Sequence, residues 1–488
     1  MQQQIETYMQ FHDENIPFPF PFPTKEKEAE ENYSFGVLKI TANLHENENE
    51  KKEKHQHFIF SIDKSGSMSY PCKDKKTKLQ HIQFTLENML IMFANSNLEI
   101  SIHVNVFDHN VGTCIHETKV TKENVDKLIA KIKTIIADGS TNLEDAIKLA
   151  KKNILEYKEK YPDHEVNHIL LTDGVPTIKN TSADILKQDI LEEYPNIFLG
   201  YGTDHDPILL EKLANNSNGS YFFIDALEKA SFVYGEIIHN IMNIVMKNVS
   251  YIFSNAEVYN YLTNKWGKIL KEDKLVNGLQ KIYQIRSRKP ELAFCSIMGT
   301  VYENIPLMLY SYPEKNRENL TQYAFRQKTQ EFLFEVKEQS RNEEEEHETT
   351  KIFIHAHPSP KKEKEQNELK NTINDFIQLL ITYRKENNLE DDKFTKMLYD
   401  DLLITWKTIG TERCGIYTSA RQLSQGRQTT YHVSLDEDEN KDQDNQITFP
   451  YGLSDHIDSP YSTNALMNTM LTCSQQHHDN ENQKTVLL

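Results

Sequence analysis

The chain has 488 residues, and 55 Lys and Arg against 73 Asp and Glu give it a formal charge of −18. This acidic balance argues against non-specific binding to nucleic acid or to anionic lipid, because both need clustered positive charge. A chain of this length exceeds what one hydrophobic core holds, so we expect about two to four domains.

The cysteine pattern and the N-terminal sequence indicate an intracellular protein. The five cysteines are scattered and include no C-x-x-C pair, which excludes a zinc ribbon or RING framework and favours reduced thiols. The first residues lack the basic and apolar regions of a signal peptide, and no apolar run approaches the ~18 residues of a membrane span. We therefore expect a cytoplasmic protein with no membrane partner.

The chain begins with a segment that has no regular apolar pattern. Residues 1–33 combine a polar start, a Pro-Phe repeat between Pro17 and Pro23, and a charged stretch. Alternating proline can neither join a sheet nor continue a helix, so we expect this segment to be flexible. Its Phe side chains either stay in solvent or dock on the folded body, and the pattern favours neither. Apolar residues at every second position of 38–44 then predict a half-buried strand.

Short apolar runs alternate with amphipathic helical patterns between residues 55 and 246. The run at 57–62 precedes a helical pattern at 79–93, and the run at 166–171 follows another at 142–157. Apolar strands that alternate with helices are typical of an open, mainly parallel sheet with helices on both faces. We therefore predict a three-layer, Rossmann-like α/β domain.

The apolar period changes to two after residue 247, as in the stretch 249–253. Asn277-Gly278 lies between two stretches of this kind and predicts a hairpin. Apolar residues at alternate positions of 332–336 predict a later strand. This part of the chain is therefore predicted to form antiparallel sheet.

These patterns divide the chain into domains. Residues 34–50 and 247–358 are predicted to form one antiparallel β-sandwich, because a lone strand near residue 40 must pair somewhere. The α/β domain of residues 55–246 is then an insertion in that sandwich. Residues 366–425 show helical spacing again, and residues 426–488, rich in Asn, Gln and Asp, are predicted to be a disordered acidic tail.

Five oxygen-bearing side chains follow elements of the α/β domain. Asp63, Ser65 and Ser67 come directly after its first strand, Thr141 lies in a second loop, and Asp173 ends a buried strand. Ligands of open α/β sheets bind at the carboxyl ends of the strands, where such loops converge. Hard oxygen ligands suit Mg²⁺ or Mn²⁺ and not Zn²⁺, which favours His and Cys. The alternative is that these residues only cap helices and form turns.

The five residues, in this order and placement, resemble the metal-ion-dependent adhesion site of von Willebrand factor A (VWA) domains. The resemblance implies that Ser65 and Ser67 bind the ion directly and that Thr141 binds it directly or through water. It implies that Asp63 and Asp173 act mostly through water. The open coordination position would take a carboxylate from a protein partner, which is binding chemistry without bond cleavage.

A finer resemblance lies in the sequence GYGTDHDPILLEKLANNSNGSYFFID, residues 200–225. It is similar to the VWA subfamily of intracellular multidomain proteins, which includes plant RING-finger proteins and relatives of Hint-containing proteins. In that group β-rich and helical segments follow the VWA domain, as predicted here. This chain departs from the RING members because it has no Cys/His zinc framework.

The function predicted from these features is a non-enzymatic interaction or scaffold protein. It would bind Mg²⁺ or Mn²⁺ and engage an acidic residue of a protein partner, with no catalytic residue, no organic cofactor and no nucleic-acid partner. One alternative is a substrate receptor or assembly component of a ubiquitin-ligase system that lacks its own RING. Another is a self-associating structural protein whose ion site binds an acidic tail of a neighbouring copy.

Overall fold

The computed structural model describes residues 3–13, 17–20, 33–44, 55–72, 75–96, 98–202, 205–215, 218–224, 230–301, 305–315, 318–349, 360–411, 413–430 and 459–471. The chain divides into two compact units. The first comprises Met1–Glu46 with Asn243–Thr463, and the second comprises Asn47–Met242 with Asn464–Leu488. The second unit therefore interrupts the first, as the predicted insertion requires.

The described elements follow one another from an N-terminal strand to a group of helices. The strands are β1 (Gln3–Phe11), β2 (Ser34–Leu44), β3 (Gln56–Asp63), β4 (Ile100–Phe107), β5 (Val111–Lys119), β6 (Glu165–Thr172), β7 (Asn196–Tyr201), β8 (Gly219–Ile224), β9 (Ile244–Ser254), β10 (Glu257–Asn260), β11 (Lys265–Gly267), β12 (Ile269–Val276), β13 (Gln280–Ser287), β14 (Phe294–Val301) and β15 (Ile305–Ser311). The helices are α1 (Lys78–Asn95), α2 (Val125–Ile132), α3 (Leu143–Lys160), α4 (Ala183–Lys187), α5 (Pro207–Leu213), α6 (Ala230–Met242), α7 (Thr321–Thr349), α8 (Pro360–Glu386), α9 (Lys393–Thr408) and α10 (Cys414–Arg427).

The inserted unit is built on one six-stranded sheet. Its strand order is β5-β4-β3-β6-β7-β8, and every neighbouring pair is parallel except β4 and the edge strand β5. All residues of β3 from His57 to Asp63 are buried, which is expected of a parallel strand covered on both faces. The predicted Rossmann-like α/β fold is confirmed.

The other unit contains two antiparallel sheets that share one core. The strand orders are β1-β2-β13-β10-β11 and β12-β9-β14-β15. Leu38 and Ile40 of β2 lie in the same apolar cluster as Val249 and Tyr251 of β9, so the two sheets pack against each other. Among the described residues, the last strand ends at Ser311, whereas the predicted sandwich extends to residue 358.

The predicted strand at residues 332–336 is wrong, because these residues lie in helix α7. Phe332 and Val336 are both buried, and their spacing of four places them on one face of that helix. Phe334 lies between them, is only partly buried and does not belong to the same apolar cluster, so the alternation of three apolar residues did not mark a strand. Helices α7 to α10 share a second apolar core in the same unit, which confirms the helical pattern predicted for residues 366–425.

The predicted flexibility of residues 1–33 is wrong for strand β1. This strand pairs with β2 along its whole length, and Met9, opposite Leu38, is fully buried. Ile5, Met9 and Phe11 supply apolar side chains on one face, a pattern that the polar composition of the segment concealed.

The Pro-Phe repeat is partly docked. Phe18 and Phe20 pack against the helical core, with the Phe20 ring centroid 4.9 Å from that of Phe325. Residues 14–16 and 21–32 lie outside the described part, so the expected flexibility is untested there.

The predicted hairpin at Asn277-Gly278 is also wrong. Gly278 does adopt a positive φ of 74°, as a tight turn there requires. However, β12 before the turn pairs with β9, and β13 after it pairs with β2 and β10 in the other sheet. The turn therefore carries the chain from one sheet to the other instead of joining two paired strands.

The predicted disordered tail contains two ordered stretches. Tyr461 is buried and donates a hydrogen bond to Gln425 in the helical part of the first unit. Residues 464–471 form a helix that packs on α6 in the inserted unit. Residues 431–458 and 472–488 lie outside the described part. Among the described helices, none combines the length and the apolar character needed to cross a bilayer.

Candidate metal centre

The carboxyl ends of two central strands bring the two predicted carboxylates together. Asp63 is the last residue of β3, and Asp173 directly follows β6. The strands are parallel neighbours, with Ile62 opposite Leu171, so both chains leave the sheet at the same edge. Both aspartate side chains are fully buried.

The segment after β3 forms a short 3₁₀ turn, and its serine hydroxyl groups face these carboxylates. The Ser65 backbone N–H donates to Asp63 Oδ1 at 2.8 Å. The Ser65 and Ser67 hydroxyl oxygens are 3.2 Å apart, and Ser67 Oγ donates to Asp173 Oδ1 at 2.8 Å. Four of the five predicted residues are therefore linked in one continuous series of polar contacts, which begins at Asp63 and ends at Asp173.

The second loop brings Thr141 to the same place. The Gly66 N–H donates to the Gly139 carbonyl at 2.9 Å, which ties this loop to the turn after β3. Thr141 Oγ1 and Ser67 Oγ lie 3.5 Å and 3.6 Å from the Cβ position of Gly174, so the two hydroxyls converge there. We use the name "metal centre" for the group formed by Asp63, Ser65, Ser67, Thr141 and Asp173.

Burial is the main electrostatic feature of the metal centre. It raises the pKa of Asp63 from 3.8 to about 6, and the neighbouring charge of Asp173 acts in the same direction. Hydrogen bonds from Ser65 and from Thr172 Oγ1, which donates to Asp63 Oδ2 at 2.6 Å, oppose this rise. A cation bound between two adjacent buried carboxylates would lower the free energy of the folded protein.

One residue that the sequence reasoning missed belongs to this region. Lys78, the first residue of α1, places its Nζ 2.8 Å from Asp173 Oδ2, and its side chain is only 11% exposed. The sequence contains no signal for this contact, because a lysine at a helix start usually points to solvent.

Asn142, which directly follows Thr141, caps a helix. Its Oδ1 accepts a hydrogen bond from the Asp145 N–H at 3.2 Å at the start of α3. Capping therefore accounts for Asn142, whereas the side chains of the metal centre are directed to one another. Ser65, which precedes the 3₁₀ turn, makes no such side-chain cap.

The donor set consists of oxygen atoms. Within the described ranges, no group of three or more His, Cys, Asp or Glu side chains is placed to hold a metal ion. A metal ion at this edge would therefore depend on the hydroxyls of Ser65, Ser67 and Thr141 beside the two carboxylates. Such a set matches hard divalent cations.

Comparison with known proteins identifies the domain. Residues 59–223 match the family model described as the von Willebrand factor type A domain. The structure named "von Willebrand factor type A from Catenulispora acidiphila" has a TM-score of 0.51 and 12% identity, covering 82% of this chain and 89% of that one, which supports the fold alone. The strand order and these findings agree on a VWA-like α/β fold for residues 59–223.

Curated relatives point to the same class of protein. Inter alpha-trypsin inhibitor heavy chain 4 of Mus musculus is 25% identical over 255 residues, which covers 50% of this chain and 25% of that protein. Human von Willebrand factor A domain-containing protein 5A is 25% identical over 175 residues, covering 35% and 21%. The chain thus spans about a quarter of the length of these relatives. Residues 59–223 are thus similar to VWA domains, and the relation to plant RING-finger proteins stays a prediction.

Proposed function

We propose that this protein binds Mg²⁺ or Mn²⁺ at the metal centre and uses the bound ion to engage a carboxylate of a protein partner. The observation that carries the proposal is the convergence of three hydroxyl groups and two buried carboxylates at the carboxyl edge of the VWA sheet. The similarity of residues 59–223 to VWA domains supports the proposal, and the partner is part of the proposal itself.

The residues present suit a hard divalent cation. Ser65 and Ser67 are close enough to share one ion, and Thr141 approaches from the opposite loop. Asp63 is fixed by two hydrogen bonds, so it would orient the Ser65 side of the centre and supply charge through water. Hydroxyl ligands leave the ion with much of its positive charge, which favours an additional anionic ligand from outside.

The proposed role is non-enzymatic. A hydrolytic reaction at the ion would need a general base beside it. Asp63 accepts hydrogen bonds at both carboxylate oxygens, and Asp173 is engaged by Ser67 and Lys78. Both aspartates therefore already accept hydrogen bonds or form an ion pair within the centre. Neither is available as a general base, which favours binding over catalysis.

Metal binding is tested by titrating the EDTA-stripped full chain with Mg²⁺ and Mn²⁺ in a calorimeter and by thermal melts. Because a ligand that binds only the folded state stabilises it by about 2.7 kcal/mol at 100 times Kd, we expect an increase in Tm of about 5–10 °C for the inserted unit. Thr141→Ala should weaken binding about 10- to 100-fold.

The matched control is Thr134→Ala, which removes an exposed threonine hydroxyl bonded only to the Lys131 carbonyl. It should bind the ion like the wild-type chain. Equal affinities for the wild type, Thr141→Ala and Thr134→Ala would refute the assignment of this centre, and so would an absence of binding at millimolar Mg²⁺ and Mn²⁺.

The open coordination position is tested with Mn²⁺ and acetate as the probe carboxylate. Water bound to Mn²⁺ in exchange with solvent accelerates proton relaxation of the bulk water. We expect a high relaxation rate for the Mn²⁺-loaded chain and a decrease when acetate replaces that water. An unchanged rate over the full acetate titration would mean that no position is open to a carboxylate.

A further inference from the structure

We propose that Lys78 is an internal counter-ion of the metal centre. Its ammonium group neutralises Asp173 in the metal-free protein and thereby lowers the affinity of the centre for a divalent cation. This inference rests on the function proposed above, because it assigns a regulatory residue to the same site.

The first support is the ion pair itself. Lys78 Nζ lies 2.8 Å from Asp173 Oδ2, while Oδ1 of the same carboxylate accepts from Ser67 at 2.8 Å. Asp173 is fully buried, and the Lys78 side chain is 11% exposed. A lysine is rarely buried without a charge partner, so the pairing with Asp173 explains why this one is held at the edge of the centre.

The second support is that the backbone around Lys78 is fixed. Thr77 and Gln80 form a reciprocal capping box at the start of α1, with hydrogen bonds of 2.7 and 3.1 Å. The Lys78 N–H donates to the Tyr70 carbonyl at 3.1 Å. The lysine side chain therefore extends from a helix start whose backbone is held in place by hydrogen bonds.

The third support is the path of the lysine side chain past the end of β7. A Cβ at Gly202 would lie 3.7 Å from both Cε and Nζ of Lys78, which is ordinary van der Waals contact. The lysine side chain therefore packs directly beside the end of β7 on its way to Asp173.

The net charge of the metal centre affects how strongly it binds a cation. With Lys78 present, the two carboxylates and one ammonium carry a net charge of −1, and the centre is already partly neutralised before a metal ion arrives. A divalent cation must compete with the ammonium for Asp173, or bind beside it against electrostatic repulsion. A monovalent cation gains too little to do so. We therefore expect a preformed centre that binds divalent ions weakly and reversibly.

The experiment compares the full chain with Lys78→Met and Lys78→Arg. Lys78→Met removes the charge and keeps most of the apolar stem, so its affinity for Mg²⁺ and Mn²⁺ should rise at least about tenfold. In EDTA the same variant should melt at a lower temperature than the wild type, because Asp173 is left buried without its partner. Lys78→Arg keeps the charge and should retain an affinity close to that of the wild type.

The matched control is Lys152→Met, which removes an exposed lysine of α3 that pairs only with Glu156 at 3.7 Å. It should change neither affinity nor the melt in EDTA. Lys78→Gln, which keeps a hydrogen-bond donor without the charge, replaces Lys78→Met if that variant does not fold, and the same rise in affinity is expected.

The outcomes separate this inference from the proposed function. Wild-type binding with an unchanged or weaker affinity in Lys78→Met and Lys78→Gln would overturn the role of Lys78 and leave the metal centre intact. Loss of binding in all chains, the wild type included, would overturn the proposed function and this inference with it. A rise confined to the uncharged variants supports both.

Discussion

Replacing Asp63 by Asn should stabilise the metal-free protein and abolish its response to metal. Burial raises the pKa of Asp63 to about 6 in the folded chain, against an ordinary value of 3.8. The folded state therefore binds more protons than the unfolded state between these values, so the ionised carboxyl group lowers the free energy of unfolding as the pH rises through this window. A neutral amide of the same shape avoids that cost.

The magnitude follows from the two pKa values. The cost of keeping Asp63 ionised is about 1–2 kcal/mol at pH 5 and approaches about 3 kcal/mol at pH 7. In EDTA, Asp63→Asn should therefore exceed the wild type in free energy of unfolding by about these amounts, and the gap should widen with pH. The Asn side chain can still accept the hydrogen bond from the Ser65 N–H.

The assay is urea unfolding of both chains at pH 5 and pH 7, with EDTA and again with Mg²⁺. Mg²⁺ should raise the midpoint of the wild type and leave that of Asp63→Asn in place. Asp163→Asn, an exposed change at the opposite edge of the sheet, is the matched control and should follow the wild type throughout. A metal-free Asp63→Asn chain that is less stable than the wild type at pH 7 would refute the reasoning.

Three further predictions concern pH, the helical core and the C-terminal helix. Affinity for Mn²⁺ should fall by up to about tenfold per pH unit below pH 6, because Asp63 must lose its proton before it can help to hold the ion. Calorimetry at pH 5 and pH 7 measures the two affinities, and equal values would contradict the prediction. Arg421→Met should cost about 3–5 kcal/mol in urea unfolding, because it leaves Asp401 buried after loss of a 2.7 Å ion pair, and adding Asp401→Leu should recover part of the loss. Recovery of nothing would show that the pair is not the cause. Gly235→Ala should speed hydrogen exchange in residues 464–471, because its Cβ would lie 2.7 Å from the backbone of that helix, and unchanged exchange there would contradict the packing.

The sandwich shows why some elements could not be predicted from local pattern. Asn277-Gly278 forms the turn that its residues favour, yet β12 and β13 pair with strands distant in sequence. A turn is decided by a few neighbouring residues, whereas strand pairing is decided by partners far along the chain. Strand β1 was missed for the same reason, since its place beside β2 depends on a core that both sheets build together.

Lys78 illustrates the same limit at the metal centre. Its contact with Asp173 joins residues from α1 and the end of β6, and it exists only because parallel neighbouring strands bring their ends and the following helix starts to one edge. Lysine is common at helix starts, so the residue type carried no information about its partner.

The sequence by itself predicted the α/β class of the inserted domain and the five residues whose side chains meet at one edge of its sheet. This was possible because the end of a buried strand is visible in the sequence as the end of an apolar run. Polar residues directly after several such runs meet at one edge of a parallel sheet. Only the tertiary structure decided the burial of Asp63, the convergence of Thr141 with Ser67, and the pairing of Lys78 with Asp173. These depend on distances between segments far apart in the chain, which no local pattern encodes.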